Sequence, residues 1–139
     1  MAKNLSVQQF RQLMDRIPKA VAEELQGAVF GAAGELRDAI RRAVPKGIDG
    51  VHELEQSVRV EEGRHPLRAE VKEGGLLTTR QVRQGVNATY DYALGTEHGN
   101  ERVPAQPHFF PTYRLMRKRL RSKIARKVKP AIAKVVNVK

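Results

Sequence analysis

The chain has 139 residues, of which 26 are Lys or Arg and 15 are Asp or Glu, so its formal net charge is +11. It contains no cysteine, which excludes a disulfide scaffold, thiol catalysis and cysteine-based zinc sites. Because 40% of the residues are apolar, only 5% are aromatic and none is Trp, we expect a thin core that a copy or a partner completes.

The first third of the chain predicts two helices. Ser6 followed by Gln9 forms a capping box that opens a short helix over Val7–Arg16. Pro18 fits the first turn of a second, amphipathic helix, which ends at Val44 before a proline. That helix contains three glycines, for which we favour close packing of another backbone over a bend: Gly27, Gly31 and Gly34.

The middle third predicts β-structure. Apolar residues alternate with polar ones over Leu54–Val60 and again over Leu67–Val71, which is typical of a hairpin with one solvated face. The segment Leu76–Gly85 shows no period, so it is either a flexible loop or a hairpin extension that orders on assembly. A third strand is predicted over Val86–Tyr90.

The last third predicts two helices. A short one spans Tyr92–His98 and ends at Gly99, and a long one begins at Pro111, interrupted by Pro130. The expected fold is therefore α+β, with a long N-terminal helix and a basic C-terminal helix packed on a small antiparallel sheet. We predict one domain, divided into a short helix (1–17), a neutral α+β body (18–110) and a basic helix or arm (111–139).

The net positive charge of the chain comes from the arm alone. Residues 111–139 contain eleven Lys or Arg and no acidic residue, whereas residues 1–110 hold fifteen of each sign. Such a run is a solvated helix face, a surface for an acidic protein, or a surface for DNA, and the sequence leaves all three open. The residues predicted to contact an anionic partner or DNA are Arg114, Arg117, Lys118, Arg121, Arg126 and Lys127.

No catalytic, metal or cofactor motif is present in the sequence. The four histidines, including His108, share no metal-ligand spacing and are interpreted as surface or turn residues. The carboxylates of the predicted hairpin are best explained as cross-strand charge pairs, although a small hydrolase using Glu61, Glu70 and Glu97 is an alternative. These hairpin carboxylates are Glu61, Glu62, Glu70 and Glu73.

Two segments of the second half resemble a known family. They are the run from Tyr92 to Gly99 and the run from Pro104 to Pro111, and they are similar to the small neck or tail-completion proteins of long-tailed bacteriophages, typified by the gene-ten product of a lambdoid coliphage. Upstream, Val44-Pro45, Asp49-Gly50 and Ser57-Val58 match the family's helix end, turn and strand, so about residues 18–130 follow its layout. The departures from the pattern are Asn100, His108, Phe110 and Thr112.

The resemblance implies a structural protein of the virion neck or tail, assembled in the bacterial cytoplasm, with no catalytic activity and no cofactor. It further implies a homo-oligomeric ring, a hexamer, between head-closure and tail-terminator or tail-tube proteins, near packaged DNA and away from membranes. Apart from the resemblance, the residues themselves predict that Glu97 binds loop amides before Gly99 and that Phe109 with Phe110 anchors the last helix. The motif residues are Tyr92, Ala93, Glu97, Gly99, Gln106, Pro107, Phe109, Phe110 and Pro111.

Overall fold

The computed structural model describes residues 6–47 and 50–137. Its elements in chain order are α1 (Val7–Ala43), α2 (Val51–Ser57), β1 (Arg59–Glu62), β2 (Ala69–Lys72), a 3₁₀ turn (Leu76–Thr78), β3 (Thr79–Gln81), β4 (Thr89–Asp91), α3 (Tyr92–His98), α4 (Phe109–Ala125) and α5 (Val128–Asn137). The structure is 61% helical with two small antiparallel sheets, which confirms the predicted α+β class.

The N-terminal third is one continuous helix of 37 residues, about 55 Å long. The predicted capping box is confirmed, since the Ser6 hydroxyl accepts the Gln9 N–H at 3.2 Å and the Gln9 side chain accepts the Ser6 N–H at 3.0 Å. The prediction of two helices divided before Pro18 is wrong, because Pro18 lies inside α1. A proline inside a helix removes one backbone hydrogen bond, whereas ending the helix and beginning another would require a second unfavourable nucleation step. The continuous helix therefore loses less.

The glycines of α1 do not allow another described backbone to approach closely. A Cβ placed on Gly27 or Gly31 would meet no described atom within 4 Å, and one on Gly34 would meet only the Arg37 guanidinium at 3.9 Å. Within the part of the chain that the structure describes, the close-packing interpretation is therefore wrong.

The predicted first strand begins as a helix instead. Residues Val51–Ser57 form α2, which starts after Gly50 in the left-handed conformation with φ of 74°. Val51, Leu54 and Val58 are spaced by three and four residues, so this segment also fits a helical stripe, and burial of Leu54 and Val58 selects it. The strand itself starts only at Arg59.

Two separate hairpins replace the single sheet that we expected. In the first, β1 pairs with β2, with Val60 opposite Val71 and Glu61 opposite Glu70. In the second, β3 pairs with β4, which begins at Thr89, later than the predicted strand over Val86–Tyr90. The segment Leu76–Gly85 therefore comprises the 3₁₀ turn Leu76–Thr78 and, from Thr79 onward, the first half of the second hairpin.

The core lies where α4 and the first hairpin pack against the second half of α1. Its buried members are Ala32, Leu36, Ile40, Val58 and Leu120, with Val71, Phe109, Met116 and Ile124 packed around them. A smaller cluster joins Val44, Leu54 and Ala93. Four of the ten buried apolar residues of the described chain are alanines, so the core is thin, as the composition predicted.

The basic arm begins and breaks at other places than predicted. Helix α4 starts at Phe109, and Pro111 is its third residue, where no ladder hydrogen bond is lost. The chain leaves the helix at Arg126–Lys127 rather than at Pro130. Pro130 lies in the first turn of α5, a position that tolerates proline.

Candidate functional site

The N-terminus of α4 is capped by a carboxylate from another helix. α3 places Glu97, which is buried, so that Oε2 accepts the N–H groups of His108 at 2.7 Å and Phe109 at 3.0 Å. Oε1 accepts the N–H of Phe110 at 3.0 Å. A negative charge at this end of a helix is stabilising. The expectation that Glu97 binds amides before Gly99 is wrong, because the amides that it binds lie beyond the loop.

His108 is buried rather than on the surface, so our interpretation of this histidine is wrong. Only 3% of the residue is exposed, and its Nε2 lies 2.5 Å from Oε1 of Glu73. Its Nδ1 lies 3.1 Å from the Gln106 carbonyl oxygen and 3.3 Å from Oε2 of Glu97. Both ring nitrogens face oxygen atoms that can accept a hydrogen bond, so this geometry favours the doubly protonated imidazolium form of His108.

The environment of this cluster shifts two pKa values in opposite directions. Burial alone would lower the pKa of His108, but the hydrogen bonds with Glu73 and the Gln106 carbonyl, with the two carboxylate charges, raise it overall. Burial would raise the pKa of Glu97, but the three amides of α4 and the charge of His108 lower it overall. The cluster therefore favours the charged forms of His108 and Glu97, and it joins the residue that follows β2 to α3 and to the start of α4.

The loop before α4 is folded back onto α3. Gly99 has φ of 74° and donates its N–H to Gly95 at 2.8 Å, which confirms that the short helix ends there. A Cβ on Gly99 would lie 2.7 Å from the Ala105 nitrogen. Glycine is therefore required both by the positive φ and by the close approach of the loop. Gln106 donates its N–H to the Thr96 carbonyl at 2.7 Å, which fixes the loop exit.

The start of α3 is tied to the α1–α2 turn. The Tyr92 hydroxyl donates to the Gly50 carbonyl at 2.9 Å, and the Arg80 guanidinium lies 5.3 Å from the ring centre. Burial raises the pKa of Tyr92. Ala93 is buried against Val44 and Leu54. These two motif residues therefore act in packing.

The two phenylalanines of the motif have different environments. Phe109 is half-buried and packs on the core, whereas Phe110 is 44% exposed. Their rings meet edge to face, with centroids 5.2 Å apart and planes at 69°. Pro107 is exposed before the helix, and Pro111 lies within its first turn. Of the two rings only Phe109 packs on the core, so the expectation that both anchor the helix is confirmed for Phe109 and wrong for Phe110.

Part of the basic arm finds its acidic partner within the chain. Lys123 forms an ion pair with Glu35, and Arg119 approaches the same carboxylate at 3.5 Å. On α5, Lys134 forms an ion pair with Glu24. The hydrogen bonds and charges of these lysines lower the pKa values of Glu24 and Glu35. We call Arg119 and Lys123, which are spaced by four residues on α4, the paired stripe.

A second stripe on α4 remains open. It consists of residues spaced i, i+3, i+4 and i+7, which share one side of a helix: Arg114, Arg117, Lys118 and Arg121. No carboxylate of the described residues lies within ion-pair distance of any of the four, nor of Arg126 or Lys127. We call these four residues the open stripe, and they include most of the cations that the sequence singled out.

The second hairpin carries exposed apolar side chains on a fixed base. Asp91 accepts the Gly75 N–H at 2.7 Å and the Thr78 hydroxyl at 2.5 Å, which ties the two ends of the hairpin together. Beyond this base, Leu76 is 97% exposed and Val82 is 54% exposed. Sequence reasoning missed Asp91, because no local pattern shows that its partners lie sixteen and thirteen residues earlier.

The carboxylates of the first hairpin are mostly in solvent-facing ion pairs. Glu61 pairs with Arg59 at 2.6 Å and with Lys72 at 2.7 Å, and Lys72 also reaches Glu70 at 3.1 Å. Only the Lys72–Glu61 pair crosses between the strands, so the predicted cross-strand pairs are confirmed in one case. Among the described residues Glu62 has no ion-pair partner, and Glu73 is buried against His108. Such pairs provide no acid and base poised around a cavity.

The described part of the chain holds no group of three His, Asp or Glu side chains that could bind a metal ion. None of its helices combines the length and the apolar character needed to cross a membrane. No family model, curated protein or solved structure matches this chain.

Proposed function

We propose that this chain is a structural virion protein of a bacteriophage, in which copies form a ring that joins or completes the tail at the head–tail junction. Its neighbours in this proposal are the head-closure ring and the tail-terminator or tail-tube ring, and its role is assembly rather than catalysis. The resemblance of residues 92–99 and 104–111 to neck and tail-completion proteins supports this function.

The observation that carries the proposal is the uncovered second hairpin. A two-stranded hairpin is marginally stable in water, and each of its strands has an edge with unpaired backbone groups. Here the base is fixed by Asp91, while Leu76, Val82, Val86 and Tyr90 stay exposed. An element of this kind, on a chain with a thin core, is typical of a surface that another copy covers.

The test is the mass of the purified full-length protein in solution, measured by light scattering or native mass spectrometry. We expect a closed oligomer, and we expect the double variant Val82→Ser, Val86→Ser to shift it to monomer. The matched control is Leu115→Ser, because Leu115 is 84% exposed on α4 and lies outside the hairpin. A monomeric wild type, or equal dissociation by the control, would contradict the proposal.

Location is tested separately in purified phage particles. We expect the protein in the particle proteome at a copy number of one ring, and its gene between capsid-connector and tail-tube genes. Absence from intact particles contradicts the assignment to the virion even if the protein forms rings.

The competing function is non-specific nucleic-acid binding by the basic helix, and the open stripe favours it. Its test is the salt dependence of binding to duplex DNA, measured as the slope of the logarithm of the binding constant against the logarithm of the salt concentration. Each phosphate contact that a substitution removes should make this slope shallower by about 0.9. Charge substitutions such as Arg114→Gln with Lys118→Gln are needed, because deleting 118–139 would also remove buried Leu120 and Ala131. Failure to bind at low salt would contradict this function.

A further inference from the structure

We propose that the groove between α1, β2 and α4 binds an acidic amphipathic helix of a partner protein. This groove is separate from the second hairpin, and its binding of a helix does not depend on whether the chain forms a ring in a virion.

The groove is apolar and long. Its volume is about 350 Å³, and it follows α4 from Phe109 to Ile124, a distance of about 22 Å. Apolar side chains from all three elements line it: Ala33, Leu36, Ala69, Val71 and Leu120. At one end Phe110 and Tyr113 are 44% and 38% exposed, so two aromatic rings face solvent there. A trough of this shape, about four helical turns long, matches the helix-in-groove mode of recognition.

The edge of the groove is cationic and lacks acidic partners. Arg117 and Arg121 line the groove, and with Arg114 and Lys118 they form the open stripe. The two flanks of α4 therefore differ, since Glu35 of α1 already pairs with Arg119 and Lys123 on the other flank. Within residues 6–47 and 50–137, no carboxylate is within 4.0 Å of the open stripe. Charge complementarity thus requires an acidic occupant.

A second copy of this chain does not supply that occupant. The exposed apolar hairpin, residues 74–90, carries Arg80 and Arg83 and no acidic residue. Helix α5 exposes Val136, but its charged residues are Lys129 and Lys134. Both of these apolar surfaces would bring further positive charge to the open stripe, so neither fits it, and the occupant that we propose is a helix of a different protein.

A protein helix fits the surface better than nucleic acid does. Phosphates would contact the open stripe but would leave Tyr113 and the apolar floor in water. A helix with an apolar ridge and flanking carboxylates covers the floor and neutralises the stripe together, and Tyr and Arg are the residues on which such interfaces depend most. Because Arg114 and Arg121 are two turns apart, the acidic residues of the partner should repeat over two turns.

The test is fluorescence anisotropy with the full-length protein and a labelled probe peptide of about fifteen residues, with Leu at every third or fourth position and Glu on both flanks. A second peptide with the same composition in scrambled order, and a labelled duplex DNA, serve as control probes. The groove variants are Arg117→Glu with Arg121→Glu, and Tyr113→Ser. The matched charge control is Arg126→Glu with Lys129→Glu, which removes the same charge from outside the groove. Thermal melting verifies that each variant is folded.

We expect the amphipathic peptide to bind at least about tenfold more tightly than the scrambled one, and both groove variants to weaken it by about tenfold or more. The matched control should change its affinity by less than about threefold, and Tyr113→Ser should leave DNA binding unaltered. Equal binding of the two peptides, equal effects of the two charge-reversal pairs, or no peptide binding at low salt would each overturn the proposal. Duplex DNA that binds more tightly than the peptide through Arg117 and Arg121 would overturn it in favour of nucleic acid.

Discussion

Replacing Glu97 by Ala should release the first turn of α4 from α3. The carboxylate accepts three backbone N–H groups, at 2.7, 3.0 and 3.0 Å, and its loss leaves all three without a partner. A buried unpaired donor costs about 1–3 kcal/mol. The three amides lie at one helix end and Phe110 is exposed, so their penalties do not add in full. We expect the free energy of unfolding to fall by about 3–4 kcal/mol.

The assay is thermal unfolding followed by circular dichroism. For a domain of this size, 1 kcal/mol corresponds to about 3–5 °C, so Glu97→Ala should lower the melting temperature by about 10–15 °C. Glu97→Gln keeps the shape and one acceptor but not the charge, and should cost about half as much. The matched control is Glu101→Gln in the exposed loop, which should stay within about 0.5 kcal/mol of wild type.

The pH dependence gives an independent readout of the same cap. The folded pKa of Glu97 lies below its ordinary value, so its contribution is present above about pH 4.3 and is lost as the pH falls through the folded pKa. The difference between wild type and Glu97→Gln should therefore shrink in acid. If Glu97→Ala melts within about 2 °C of wild type, the cap does not hold α4 and the reasoning fails.

Three further outcomes follow from the geometry around α4. Phe109→Ala should lower the free energy of unfolding by about 2–3 kcal/mol because the ring is half-buried on the core, and exposed Phe110→Ala should lower it by about 1 kcal/mol or less. Equal losses of stability in denaturant titrations would contradict this difference. Gly99→Ala should lower the free energy of unfolding by about 2–4 kcal/mol, because the backbone is left-handed there and the new methyl group would clash with the loop. Gly27→Ala, which meets no such contact, should raise it by up to about 1 kcal/mol. An unchanged stability of Gly99→Ala would contradict the first expectation. The contribution of protonated His108 to the free energy of unfolding is complete below about pH 6.5 and is lost as the pH rises through its raised folded pKa. The melting temperature of wild type should therefore fall as the pH rises above that pKa, whereas that of His108→Gln should not. Parallel pH profiles of the two proteins would show that the protonated form of His108 does not stabilise the fold.

Local patterns in the sequence predicted the features that depend on local structure. The box of Ser6 with Gln9 and the end of α3 at Gly99 were both found, because each depends on residues within one helical turn. Pro18 misled the prediction, since a proline signal is read locally while the continuity of α1 depends on the hydrogen bonds on both sides of it. The helix α2 was missed because the spacing of Leu54 and Val58 fits both periods, and only burial separates them.

The candidate site could be predicted only in part. Glu97 was singled out, but its partners were misplaced, because the amides that it binds are eleven to thirteen residues away. Glu73 and His108 are 35 residues apart, and no periodic pattern relates them. The division of the cations on α4 into two stripes required knowing which flank faces Glu35 of α1. The positive charge was therefore visible in the sequence, but its distribution between internal and external partners was not.

The two ends of the α4–α5 arm are attached to the body by forces of different kinds, with the break at Arg126–Lys127 between them. The near end is held by the buried network around His108, whereas the far end is held by buried Ala131 of α5 and by the solvent-facing pair of Lys134 with Glu24. Rising ionic strength therefore screens the pair of Lys134 with Glu24, which contributes about 1 kcal/mol or less, but not the buried contacts of His108 and Ala131. Salt thus acts on one of the two kinds of attachment and leaves the other in place.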